Sequence, residues 1–218
     1  MKELFIEESQ SIIEKYYHNG EYLQKDGGAP AYKQGLTKII EQKITSVQDG
    51  TNVQGVKLLE VLMSHFGEQA VTHMYFWQFP SFSLNISIGE TAGDKWLQQT
   101  SIWIDISLLC NYFTCFVEDK FIYAGPDSHL SSLSKNPVYV LSQQVIQTGD
   151  LPGKISKALD CVKEVFTGYQ HVGHWGLFYQ EFSIPPYGIE QSLHPGNAFS
   201  LLFSPRYGRS RTLIVVNK

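Results

Sequence analysis

This chain of 218 residues predicts an α+β fold: helices at the amino end, then an antiparallel sheet of about six to eight strands with one later helix packed on a face. Three observations carry that expectation. Apolar residues keep helical spacing through residues 1–68. From Phe82 to Ile88 and from Ile102 to Leu108 they recur at every second position, the period of a strand with one buried face. The strand candidates also follow one another through short turns, and parallel neighbours would need crossovers of roughly a dozen residues or more.

The first helix is expected from about Lys2 to Tyr17, where Leu4, Phe5, Ile12, Ile13, Tyr16 and Tyr17 share a face and His18-Asn19-Gly20 stops it. Gly20 to Pro30 reads as a loop around Asp26-Gly27-Gly28. Leu36, Ile39, Ile40, Ile44 and Val47 form the stripe of a second helix ended by Asp49-Gly50. Val56, Leu59, Met63 and Phe66 form that of a third, ended by Gly67.

Val71 to Phe79, with His73, Tyr75 and Trp77, is a strand candidate broken by Pro80-Ser81. Phe82, Leu84, Ile86 and Ile88 alternate with polar residues until Gly89 to Asp94 turns the chain. The stretch Thr100–Ala124 is the richest in strand character. Ile102, Ile104, Ile106 and Leu108 should face the core, while Trp103, Asp105 and Ser107 form a polar row on a half-exposed face. Leu108 to Tyr112 is either a turn or a bulge in one strand, with a meander favoured. Tyr112 to Val117 is a further strand, and Glu118-Asp119-Lys120 suggests a tight hairpin before Phe121, Ile122 and Tyr123.

After a loop-like stretch to Pro137, Val138 to Ile146 fits a strand or a short helix. Ile155, Ala158, Leu159, Val162, Val165 and Phe166 predict a helix at 153–167. His171 to Phe182 reads as a strand, and Ile184 to Gly188 as an irregular connection. Phe199 to Phe203 and Thr212 to Val216 are expected to form a terminal hairpin closed by Pro205 to Arg211. The whole, 1–218, is expected to be one domain, helical over 1–68 and built on the sheet over 69–218.

Hydrophobic residues at 43% and charged ones at 17% exclude a disordered chain. A net charge of -4 offers no basic field for nucleic acid. No run of about 18 apolar residues suggests a membrane span, and the acidic start MKELFIEESQ is unlike a signal peptide, so a cytoplasmic protein is expected. Three cysteines, Cys110, Cys115 and Cys161, have no framework spacing and read as structural thiols.

Four constellations are candidates for chemistry. On a helix His171 and His174, with Glu181 and His194 beyond, would be spaced to share a metal, but on a strand an odd separation sends the side chains to opposite faces; no metal site and no cofactor are expected. Cys110 and Cys115 lack the redox spacing. Arg206, Arg209 and Arg211 surround Gly208 and suit an anion or a solvated hairpin tip. Asp105, between aliphatic neighbours, would be a general base if a His such as His73 met it in a pocket.

No nucleophile elbow, P-loop or dinucleotide fingerprint accompanies these, so no catalytic residue is assigned. The expectation is a non-enzymatic domain that binds another protein through an aromatic-rich surface including Tyr75, Trp77, Trp96, Trp103, Tyr112, Trp175 and Tyr187. Its contact residues are expected to be Trp103, Asp105, Trp175, Arg206, Arg209 and Arg211. Immunity proteins that neutralise toxins have this general character, an analogy of type that no motif carries. The alternative is a small hydrolase or transferase using Asp105, the histidines His73, His171 and His174, and the arginine loop.

Overall fold

The computed structural model describes residues 2–17, 31–49, 51–73, 79–123, 137–142, 150–184, 186–187, 196–207 and 213–215. It has the α+β architecture that the residue pattern predicts, with helices before and after a mixed, mostly antiparallel sheet. Among the described residues no helix is long and apolar enough to cross a membrane.

Three helices open the chain: α1 (Lys2–Tyr17), α2 (Ala31–Gln48) and α3 (Val53–Phe66). Each buries residues one turn apart, Ser9, Ile13 and Tyr17 on α1, Leu36, Ile40 and Ile44 on α2, Leu58 and Leu62 on α3. Asn52 caps α3 by accepting from the Gly55 N–H at 3.0 Å. Gly67 ends it at φ 92°, a left-handed conformation that glycine adopts without a Cβ clash. The expected loop at 20–30 lies outside the described residues.

The main sheet runs β1 (Val71–His73), β2 (Ser81–Gly93), β3 (Trp96–Ser107), β4 (Tyr112–Tyr123), β5 (Val138–Ser142) and β9 (Leu213–Val215) in spatial order, with β6 (Gln170–His171) pairing β4. β1 to β5 pair antiparallel in succession; β9 on β5 and β6 on β4 are parallel. Beyond β5 come α4 (Leu151–Val165), α5 (His174–Tyr179), a small ribbon of β7 (Glu181–Phe182) and β8 (Gly196–Asn197), and α6 (Ala198–Leu202). The stretch left open at 138–146 is a strand over its described part, and Leu108 to Asn111 is a turn, so the meander holds.

Four expectations need correcting. No hairpin interrupts β4 at Asp119: the strand passes straight through, because Lys120 to Tyr123 pair with Gln99 to Trp96. β2 does not turn at Gly89 but continues to Gly93, absorbing a register shift between Ser87 and Gly89 as a bulge and closing at Asp94-Lys95. His171 to Phe182 is not one strand; Gly173 starts helix α5 and buries His174, Leu177 and Phe178. Phe199 to Phe203 is helical over α6 and makes no hairpin with β9, which joins β5 instead. Its helix is set by Asn197, whose side chain accepts from the Ser200 N–H at 2.8 Å while Ser200 Oγ accepts from the Asn197 N–H at 2.9 Å.

The aliphatic row is core as expected: Leu84, Ile86, Ile102, Ile104, Ile106, Phe113, Cys115 and Val117 are buried on one face of β2 to β4. Helix α4, which packs on α3 and β4, presents Leu151, Ile155, Ala158, Val162 and Val165 to the interior. The polar row expected to be half-exposed is equally enclosed.

Candidate binding face of the sheet

Alternation puts a second set of residues on the opposite face, and the register sorts them into cross-strand rows. Ser81 stands beside Ser107; Ser83, Asp105 and Thr114 form the next row; Asn85, Trp103 and Phe116 the third; Ser87, Ser101, Glu118 and Leu141 the fourth. Beyond the bulge, Glu90, Gln99, Lys120 and Tyr139 make the fifth.

The first three rows are covered by α5, α6 and Phe203 to Tyr207. Ser81 Oγ donates to the Phe203 carbonyl at 2.8 Å and Ser107 Oγ to the Leu202 carbonyl at 2.9 Å, so two strand serines hold the end of α6 on the sheet. Phe199 meets Phe116 edge-on at 5.9 Å and stacks on Phe178 at 4.5 Å. Beneath this cover Asp105, 0% exposed, forms an ion pair with Arg206 and accepts from Ser83 Oγ at 2.6 Å. The Arg206 guanidinium also lies 4.0 Å from the centre of the Trp103 ring.

Burial pushes the Asp105 carboxyl above the usual carboxylate range, and Arg206 and Ser83 oppose that shift. Trp103 Nε1, Thr114 Oγ1 and Arg206 Nε are buried beside the pair without a hydrogen-bond partner among the described residues. Tyr207 closes the covered half. Its hydroxyl donates to Glu118 Oε2 at 2.5 Å, and burial holds the phenol protonated well above its ordinary range.

In the fourth and fifth rows Tyr207 covers Glu118 and meets Tyr139, and Leu141 is buried, whereas Ser87, Ser101, Glu90, Gln99 and Lys120 have no such cover among the described residues. Thr72, Asn85, Ser87, Gln99, Ser101, Trp103, Glu118 and Lys120 contribute to a cavity of about 300 Å³, with Gly89 and Glu90 at its edge. Its lining is amide, hydroxyl and charge over one indole. Gln99 donates to Glu90 at 3.0 Å; Glu118, 7% exposed, keeps one oxygen on Tyr207. Among the described residues neither Glu90 nor Glu118 forms an ion pair, and Lys120 forms none either.

Of the contact residues read from the sequence, Trp103, Asp105 and Arg206 come together, but inside the protein. Arg206 is therefore no solvated loop tip; Arg209 and Arg211 lie outside the described residues. Trp175 is half-buried on α5, its ring 4.4 Å from that of the exposed Tyr179. The aromatic-surface expectation also fails for Tyr112 and Tyr187, both buried. Trp96 is half-buried, and Tyr75 and Trp77 are outside the described set.

The described members of the predicted histidine set, His73, His171 and His174, do not converge. His174 is fully buried with its ring 5.6 Å from Phe116, whereas His171 lies 5.2 Å from Phe113 on the other face of β4. His73 pairs in register with Leu84 and so shares the aliphatic face, away from Asp105. No group of three or more potential metal ligands occurs among the described residues, and His194 is not one of them. Cys115 and Cys161 are buried and Cys110 half-buried, all as free thiols, with burial pushing Cys115 up to about 12. The residues that sequence reasoning missed are Glu118 and Lys120, assigned to a turn, and Ser83 and Tyr207.

No protein-family model, no curated protein and no solved structure matches this chain.

Proposed function

We propose that this chain is a non-enzymatic cytoplasmic domain that binds another protein, of the immunity or inhibitor type, and that the open part of the sheet's polar face is its contact surface. The observation that carries the reading is the division of the polar face. Asp105 and Arg206, the groups an enzymatic reading would draw on, neutralise each other under the cover of α6. The polar cavity beside them brings together amides, hydroxyls and charges that form no ion pair among the described residues, with no cysteine or histidine among the described lining residues. Polar, concave sheet faces flanked by aromatics suit recognition by hydrogen bonds and shape.

The test is co-purification from the native cell. A single stoichiometric protein partner is expected, and Ser101→Trp, which fills the cavity from a partly exposed strand position, should abolish its recovery. Glu164→Ala, on the exposed side of α4, should not. Equal recovery with both folded variants would reject this face as the contact surface.

A further inference from the structure

The cavity has an open strand edge on one side. β1 pairs with β2 only through Leu84 to Ile86, and the last contact on that side is the Ser87 N–H donating to the Ala70 carbonyl at 2.8 Å. From Gly89 to Gly93 the outer side of β2 has no neighbour among the described residues. Gly89 to Ala92 are exposed, and a methyl group built on Gly89 meets nothing within 4 Å.

The direction of the edge groups follows from the register. Gly93 and Trp96 flank the two-residue turn and so face each other as a hydrogen-bonded pair, as do Thr91 and Gln98 two residues back. Glu90 and Ala92 therefore turn their N–H and C=O groups outward. The side chain of Glu90 reaches Gln99 on the cavity side. An edge with free main-chain groups and no Pro or Lys between Gly89 and Gly93 is a template for another strand.

We propose that the occupant is an extended segment of a protein partner that pairs with β2 at Glu90 and Ala92 and places one basic side chain in the cavity. The mode rests on the binding reading above and specifies it. Charge selects the basic residue. Glu118 is nearly buried, and Arg206 of the covered half, although it feels the charge of Glu118, is ion-paired with Asp105. Glu90 lies two strands away across Gln99, so the cavity holds two carboxylates against one ammonium, Lys120. A carboxylate taken out of water gains most from a cation brought to it.

The probe is a blocked seven-residue peptide of alternating Thr and Val with a central Lys, titrated into the 15N-labelled chain. Saturable shifts centred on Gly89 to Gly93 are expected, with at least tenfold weaker binding when the central residue is Glu. Ala92→Pro removes one outward N–H without touching the β2–β3 ladder and should weaken the Lys peptide at least tenfold, with the spectrum elsewhere unchanged. Glu90→Gln, on β2 itself, should weaken it severalfold.

Equal binding by Ala92→Pro, or preference for the Glu peptide, overturns the proposal. So does a dimer of the chain in sedimentation that Ala92→Pro dissociates, since the edge would then belong to a second copy. If Ser101→Trp abolishes recovery of the native partner and Ala92→Pro does not, the contact face stands and strand addition fails. If neither variant affects recovery, the face itself is wrong.

Discussion

Asp105 and Arg206 are 101 residues apart in the chain and meet in a layer where neither could remain alone. A buried charge is tolerated only when paired, and stripping one partner leaves the other unsolvated. Arg206→Met should therefore cost about 3–5 kcal/mol in urea unfolding, and Asp105→Leu combined with it should recover most of that loss. Additive losses in the double variant would mean that the pair is not coupled. The same reasoning could have been applied to the sequence. An Asp between isoleucines on a central strand is either exposed or paired with a cation, and Arg206, Arg209 and Arg211 form the densest cluster of cations available. Which face of the strand was covered, and so which alternative applied, was not legible from Ile102 to Leu108 alone.

At the scale of elements, period and caps explain what could be read and what could not. α1 to α4 followed from stripes at helical spacing, and β2 and β3 from strict alternation. The failures cluster where tertiary contacts overrule local preference. Glu118-Asp119-Lys120 looks like a turn, yet Asp119 is held in β4 by Thr100 Oγ1 at 2.5 Å and Gln98 Nε2 at 2.9 Å. Phe199 to Phe203 is apolar enough for a strand, but the capping box of Asn197 and Ser200 nucleates α6, and Ser81 and Ser107 bind its end. Asn197→Ala should accordingly destabilise the fold by about 1 kcal/mol. Gly196→Ala should cost more, about 1–3 kcal/mol, because its Cβ would lie 2.7 Å from the Ile184 carbonyl oxygen, a backbone atom of the facing segment. Chemical denaturation of the two variants ranks them, and a harmless Gly196→Ala would show that the segment can yield.

Across the molecule, buried and half-buried phenols recur. Tyr112, Tyr139, Tyr169 and Tyr207 all have their pKa raised, first by burial, with Glu8 beside Tyr112 and Glu118 beside Tyr139 and Tyr207 adding to it. The folded state therefore keeps protons that the unfolded chain releases near pH ~10. That contribution is complete below this value and is lost as pH rises toward the folded pKa values. Melting temperature should hold to about pH 9 and fall steeply above it. The fall should be shallower in Tyr207→Phe, measured relative to that variant's own value at pH 8. A parallel decline in both would mean that Tyr207 is not among the linked groups.

The sequence by itself determined the α+β class, the three opening helices, the helix at α4 and the aliphatic row of the central strands, because each rests on a periodicity that local residues carry. Tertiary structure alone decided the fate of the other row. Remote residues from Ala198 to Tyr207 fold down on Ser81, Ser83, Asp105 and Ser107 and make them interior. Among the described residues that cover reaches Glu118 through Tyr207 and leaves Ser87, Glu90, Gln99 and Lys120 lining a cavity. Where a covering segment stops depends on contacts between distant parts of the chain, and no local pattern encodes it.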